Sequence, residues 1–468
     1  MKKMILGFGL LLTGLSGIAQ RVFSPQELKV DLTIIRQALE EAHPGIYRFQ
    51  SKEQLDKRFA ATEKQLKKGM TEYEFFRLVN PLIASIGDGH AKFHREQKPD
   101  DLHAFFENGY LPLQLYFKDG HAYVLKTYGG KEELPAGTRI LSINGEDIED
   151  ITSRLFRNIF ADGAVQSARY AALNTDFAGY YGLFTGPSPQ FTIGYKEVAG
   201  KRGKIVLKAV SANDIRTVTS PEPSYSISFP AKDVALLRIA VFMENEGLPS
   251  FRDFLDSAFR QIREKQVRSL IIDLRNNEGG TDRLGMLLNT FIARAPFRYY
   301  DKLTVAGVGP YSFASQATFP SEMEYLKQFV KKEGDEYHFT YFKEGLEMIN
   351  PAENAFGGNV YILQNGRSFS VTAEFAAIVK DNRRAVFIGE ESGGAMQGNS
   401  SGGFAMVTLP NTRLGLDVPL LGYHMRLQNP YAAGKGIPAD HVIVPSVTDI
   451  LQQRDPVMDT ALRLATGK

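Results

Sequence analysis

The 468-residue chain contains no cysteine. That absence excludes disulfides, thiol nucleophiles, thiolate metal sites and a lipid-modified N-terminal cysteine. Any nucleophile is therefore oxygen-based or metal-activated. Beyond the first 20 residues no apolar run approaches the ~18–20 residues that a membrane helix needs. Charge of one sign is also scarce: 55 basic residues stand against 53 acidic ones, a formal charge of +2, with no basic tract. There is thus no electrostatic footprint for nucleic acid. Internal repeats and low-complexity segments are absent as well. What remains is an ordinary folded composition, 43% hydrophobic and 23% charged. The length is about three times a typical domain of ~150 residues, so two or three domains are expected.

Residues 1–20 read as an export signal. Lys2 and Lys3 form a basic start, Met4 to Leu15 an apolar stretch, and Gly17 and Ala19 supply small residues before a cleavage expected near Ala19 or Gln20. Losing Lys2 and Lys3 with it leaves 53 basic against 53 acidic residues, a mature chain of zero formal charge. The mature protein is expected to be exported, periplasmic or extracellular, without a membrane span.

Three regions follow. Residues 21–103 read as helices, with Ser24-Pro25-Gln26-Glu27, Ser51-Lys52-Glu53-Gln54 and Thr71-Glu72-Tyr73-Glu74 each spaced as a capping box. Leu28, Leu32, Ile35 and Leu39 recur at helical spacing before Pro44-Gly45, and the second helix is expected to run into Lys67-Lys68-Gly69. Residues 104–215 read as short strands at 113–117, 122–125, 139–143, 191–193 and 205–207. Within them, residues 134–145 resemble the PDZ stretch that passes through a Gly turn into a strand ending in Asn-Gly. Such modules bind chain ends as an added strand; Asn108 to Leu113 is the candidate carboxylate loop, and a structural spacer is the competing role. Residues 216–468 alternate strands (234–241, 269–274, 359–364, 385–389) with helices near 250–265, 283–293 and up to Lys380. This alternation predicts a parallel α/β layer with its site at the carboxyl ends of the strands. Asp301 to Ala355, rich in aromatic and polar residues, is either a substrate-lining insertion or a surface excursion.

Chemistry converges on three loops. Asn365-Gly366-Arg367-Ser368-Phe369-Ser370 leads from an apolar strand into an apolar helix, which puts Ser370 at the helix N-terminus, where unpaired N–H groups and the dipole favour negative charge. Ser is equally a preferred N-cap with no chemistry attached. Asp273-Leu274-Arg275-Asn276-Asn277-Glu278-Gly279-Gly280 ends a buried-looking strand, and its paired glycines let backbone N–H groups face a cavity or simply make a turn. The loop lacks the Lys-Ser/Thr ending and the spacing of nucleotide-binding motifs. Asp88-Gly89-His90 follows an apolar helix and can present an imidazole to a cleft as a general base. Asp88, His90 and His94 could instead hold a metal, although no HExxH pattern and no third ligand support it.

Together these loops, with Ile388-Gly389-Glu390-Glu391-Ser392-Gly393-Gly394 and Gly434-Lys435-Gly436-Ile437-Pro438-Ala439-Asp440, resemble the serine peptidases related to tail-specific (carboxyl-terminal-processing) proteases, the tricorn core and interphotoreceptor retinoid-binding protein. The resemblance implies an α/β fold: a crotonase-like (ClpP-like) catalytic domain, a PDZ-like β-rich domain and an N-terminal helical region. In the tail-specific branch a Lys pairs with the nucleophile; the matching position here is Ala395, and Lys380, ten residues along the helix from Ser370, projects from another face. The tricorn-like branch uses a His that maps onto His90, preceded there by a Ser where this chain has Gly89. By this resemblance Ser370 is the nucleophile and His90 the base, Gly279 or Gly280 with the Val371 N–H forms the oxyanion hole, and Asp440 and Glu390 are the candidate orienting acids. No cofactor is implied, and the partner is a peptide or unfolded protein substrate. The alternatives are an idle binding protein of the same fold for peptides or apolar ligands, and a metal hydrolase using His90 and His94. Substrate preference and oligomeric state have no sequence signal.

Overall fold

Ser24, Ser51 and Thr71 each accept a hydrogen bond from the backbone three residues on, while Glu27, Gln54 and Glu74 reach back to the cap, so all three capping boxes form. They open helices Pro25–Ala42, Lys52–Glu63 and Glu72–Ala84; the second stops at Glu63, short of Lys67. The computed structural model describes residues 21–130, 134–216, 223–244, 249–429 and 431–467. The expected signal, residues 1–20, lies outside the described residues. Among those described, no helix is long and apolar enough to cross a membrane.

The fold is mixed α/β. In the C-terminal part, strands Val234–Ile239, Ser269–Asp273, Asn359–Gln364, Val386–Gly389 and His441–Val442 run parallel, with Tyr225–Ala231 antiparallel at one edge. Side chains alternate between two buried faces. Leu270, Ile272 and Ile362 pack with helices Phe251–Glu264, Asp282–Thr290 and Val371–Asp381, whereas Ile271, Tyr361 and Leu363 pack with Val457 and Ala461 of helix Pro456–Thr466.

Three features were not read from the sequence. Helices Ile148–Phe156 and Gln166–Thr185 lie inside the stretch read as strands. The longer one breaks at Asp176 (φ −153°, ψ 70°) and beyond the break buries Phe177, Ala178 and Gly179 in succession and again Tyr181 to Phe184, so its apolar residues mark no single face. Next, Ser400–Thr408 and Gly415–Met425 form a hairpin at the centre of a second sheet. That sheet also takes in Tyr300–Val305, Val330–Glu333 and Glu336–Phe339, so much of the 301–355 segment extends a sheet.

The third feature positions the site. Strand Lys92–His94, directly after the Asp88-Gly89-His90 loop, pairs antiparallel with the hairpin, Phe93 opposite Leu416. One apolar cluster runs from the N-terminal helices through the sheet of residues 113–208 to Ala405, Leu416 and Val418 of the hairpin. The edge strand of that sheet, Leu113–Lys118, lies beside helix Gln166–Thr185, and the Asn174 amide takes both the Phe117 N–H (2.6 Å) and its C=O (3.3 Å). The strand edge is closed at that residue.

Candidate active site

Strand Asn359–Gln364 ends in a turn tied down at both sides. Ser368 Oγ donates to Leu274 O at 2.9 Å, Phe369 N–H donates to Asn277 O at 3.1 Å, and Gly393 and Gly394 both donate to Ser368 O. Ser370 then sits at the mouth of helix Val371–Asp381 with φ 55° and ψ −128°, a backbone region that favours glycine, and its side chain makes no capping hydrogen bond. Its Oγ lies instead 3.0 Å from His90 Nε2, across 280 residues of sequence. A strained strand-to-helix turn that exposes a hydroxyl is the geometry of a nucleophile elbow.

The Gly279 loop lies against this turn. A Cβ at Gly279 would fall 2.7 Å from Ser370 Cβ and 3.0 Å from Val371 N, so only glycine permits the approach. The loop is held by Arg367 Nε donating to Glu278 (2.9 Å) and by Asn276 and Asn365 exchanging hydrogen bonds at 2.9 and 3.1 Å. Gly279 N–H donates to Asn277 Oδ1 at 2.9 Å, while its C=O accepts from Phe242 N–H and Thr281 N–H donates to Phe242 O. The Gly280 N–H takes no part in this bridge. Of the two glycines, Gly280 is therefore the one with an amide to offer alongside Val371 N–H, which has no acceptor within its own helix.

His90 is held through its backbone and its ring. Its N–H and that of Ala91 both donate to Asp88 Oδ1, at 2.7 and 3.0 Å, and Phe369 stacks at a tilt on the imidazole, centroids 4.5 Å apart. Asp88 Oδ2 lies 3.2 Å from Nε2 of His43, a buried ring whose Nδ1 accepts from Gly45 N–H and so leaves the proton on Nε2. Asp162, on the turn before helix Gln166–Thr185, accepts from Gly89 N–H at 2.9 Å and from Ala395 N–H at 3.0 Å. A ring nitrogen of His90 and one carboxylate oxygen each from Asp88 and Asp162 lie within 4.8 Å of one another.

Burial dominates the electrostatics. It pushes the His90 imidazole down to about 4, against the pull of Asp88 toward the charged form. Burial also works to raise Asp88, but the hydrogen bond from His43, with His90 nearby, holds that carboxyl well below the usual range. Asp162 is pushed up to about 7 by burial and by the Asp88 charge. At neutral pH this makes a neutral imidazole beside an ionised Asp88, the state a general base requires.

The candidate acids from the sequence sit elsewhere. Asp440 binds Lys380 Nζ (2.6 Å) and Phe387 N–H (2.8 Å), near the far end of the Ser370 helix, ten residues or ~15 Å along it. Glu390 accepts from Gly366 N–H at 3.3 Å and lines a second cavity with Tyr116 and Arg275. Asp88, which takes the His90 N–H, and Asp162, which takes the Gly89 N–H, are the acids beside His90; neither bonds the ring, whose Nδ1 has no hydrogen-bond partner among the described residues. Asp162 had no signal in the sequence, because an Asp-Gly pair between helices reads as a turn. Lys380 is committed to Asp440, and Ala395 contributes only its N–H, to Asp162. His94 is drawn to Arg95 O (2.8 Å) and Asp417 (3.4 Å), which separates it from the His90 group as a shared metal ligand. Four backbone N–H groups already address the Asp88 and Asp162 oxygens.

Ser370 and His90 open onto a cavity of about 620 Å³. None of residues 301–355 lines it; its wall is built by residues 76–105, 158–184 and 366–370, with Glu278, Phe404 and Asp417. Of the two roles read for 301–355, the lining of this cavity favours the surface excursion.

Residues 233–443 match Peptidase family S41. Among solved structures, mature CPAF aligns over 94% of this chain and 97% of its own, with a TM-score of 0.64 at 16% identity. Mature CPAF complexed with lactacystin aligns over 94% and 98%, with a TM-score of 0.65 at 17% identity. A photosystem II D1 C-terminal processing protease covers 91% of this chain and 96% of its own at 14% identity, with a TM-score of 0.42. At these identities the likeness to the two CPAF structures is one of fold. No curated protein sequence matches the chain.

Proposed function

We propose that this chain, which matches peptidase family S41 through residues 233–443, acts on peptides or proteins as an exported serine peptidase in which Ser370 attacks and His90 is the base. The observation that carries this reading is the 3.0 Å contact between Ser370 Oγ and His90 Nε2 at a helix N-terminus, made by a serine that forgoes its cap.

The steps follow from the geometry. As Ser370 Oγ bonds to the substrate carbonyl carbon, its proton passes to His90 Nε2. The carbonyl oxygen gains the negative charge and meets the Gly280 and Val371 N–H groups, aided by the positive end of the helix dipole. His90 then gives its proton to the departing amine, and the C–N bond breaks. Water, deprotonated by the same imidazole, hydrolyses the acyl-enzyme and returns the proton to Ser370. Asp88 stabilises the transient imidazolium by its charge, and Asp162 positions His90 by holding Gly89.

Export rests on residues 1–20 and is checked by the N-terminus of the mature protein, expected near Arg21. The test of mechanism is hydrolysis of an unfolded protein by full mature chain. Ser370→Ala and His90→Ala are each expected to lower kcat by ~10³-fold or more, while a chelator leaves the wild-type rate unchanged. Loss of activity with chelator and its retention in Ser370→Ala would support the metal-hydrolase alternative instead.

A further inference from the structure

We propose that the cavity beside Ser370 is a specificity pocket for a bulky aromatic or branched apolar side chain, so that the bond cut is one flanked by such a residue. This rests on the serine-peptidase reading and adds the substrate class.

At the mouth stand Ser370, His90 and Phe369. The interior is aromatic: Phe76 stacks on Phe93 (5.4 Å, 9° between planes) and lies 5.0 and 5.9 Å from the rings of Phe105 and Phe184. Tyr180 and Leu183 add to it from helix Gln166–Thr185. Most charged residues of the wall already face a charged partner, the exposed Lys98 excepted. Lys92 bonds Asp100, Arg367 bonds Glu278 at 2.9 Å, His94 faces Asp417 at 3.4 Å, and Arg95 faces Glu72 at 3.4 Å. Beyond the exposed Lys98, a charged substrate side chain would enter this space without a dedicated partner and lose its water, whereas an apolar one gains from burial against rings. The volume of about 620 Å³ falls within the range of sites that enclose a ligand group.

The placement of these residues carries a consequence for specificity. Phe76, Phe93 and Phe105 come from the N-terminal region, and Tyr180, Leu183 and Phe184 from helix Gln166–Thr185. The catalytic layer supplies the nucleophile and the oxyanion donors, and the segments that precede it supply the base and the selectivity. Ala172, a small residue on the wall, leaves room that a larger side chain would fill.

The test is digestion of a defined peptide mixture by the full mature protein, with cleavage sites read by mass spectrometry. Wild type is expected to favour Phe, Tyr, Leu or Met next to the cut over Ala, Gly, Asp or Lys by ~30-fold or more in kcat/KM. Ala172→Phe is expected to shift preference toward small residues by ~10-fold. If that variant does not fold, Phe105→Ser, on a half-buried loop position, is expected to erode the aromatic preference by a similar factor. Ser370-dependent cleavage with no apolar enrichment in wild type, or an unchanged profile in the folded variants, overturns the pocket assignment and leaves the peptidase reading standing. Cleavage that persists in Ser370→Ala overturns the reading on which both depend.

Discussion

Asp162 Oδ1 accepts the backbone N–H of Gly89 at 2.9 Å, and the other oxygen of the same carboxylate accepts the N–H of Ala395 at 3.0 Å. One buried side chain thus ties the histidine loop to the loop that backs the serine turn. Its neighbours strengthen the knot: Gly163 N–H donates to Gly87 O at 2.8 Å and Ala164 N–H to Gly434 O at 2.9 Å. Two groups 280 positions apart meet because residues 162–164 hold both sides.

Asp162→Asn is therefore expected to be poorly tolerated despite its shape. An amide offers one oxygen for two N–H donors and turns its own NH2 toward the other. The loss is expected to be about 1–3 kcal/mol by denaturant unfolding. The sign of the pH effect follows from linkage. Because the folded-state value of Asp162 is raised to about 7, the folded protein holds an extra proton above the ordinary carboxylate range, and wild-type stability falls as pH rises from about 4 to about 7. The variant lacks that fall, so its deficit relative to wild type is expected to be larger at pH 5 than at pH 8.

The pH profile of kcat/KM tests His90 and Asp88. An imidazole at about 4 is already the free base well below neutrality. The acid limb is expected near 4 rather than the ordinary ~6.5, with full activity recovered on return to pH 7. Asp88→Asn removes the carboxylate that favours the charged imidazole. It is expected to move the limb lower still and to reduce the plateau by ~10²-fold, a combination that simple loosening of the loop would not give.

Much of this site was legible in the sequence, for physical reasons that differ by residue. Ser370, Gly279 and His90 announce themselves because their backbones need particular local sequence: a turn into a helix, a glycine at close approach, a Gly-flanked loop end. The capping boxes at Ser24, Ser51 and Thr71 are likewise local and form as expected. Asp162 and His43 act through contacts with distant chain segments, and nothing in their own neighbourhoods records those partners. The helix carrying Phe177 and Tyr181 escaped because it breaks at Asp176 and is buried on more than one side beyond that break, and Asp440, which looked placed for catalysis by its motif, is held instead by Lys380.

Gly89 stands where the tricorn-like pattern has a serine, and Phe369 explains it. A Cβ at position 89 would meet the Phe369 ring at 2.6 Å. Gly89→Ser is expected to displace that ring from His90 and lower kcat by ~10-fold or more, with partial recovery in the Gly89→Ser/Phe369→Ala double variant measured in the same assay. Single and double variants with equal loss would separate Phe369 from the effect.

The backbone at Ser370 predicts a stability difference between two inactive variants. With φ 55° and ψ −128°, Ser370→Ala keeps the strain while Ser370→Gly relieves it. The glycine variant is expected to be the more stable by about 1 kcal/mol in thermal or denaturant unfolding.

The most direct measurement of the central claim is covalent labelling with a fluorophosphonate, followed by peptide mapping of the adduct. A single phosphonylated residue, Ser370, is expected, with fluoride released and the labelling rate lowered by ~10²-fold or more in His90→Ala. Labelling that survives in Ser370→Ala, or that maps to another residue at the wild-type rate, would contradict the account.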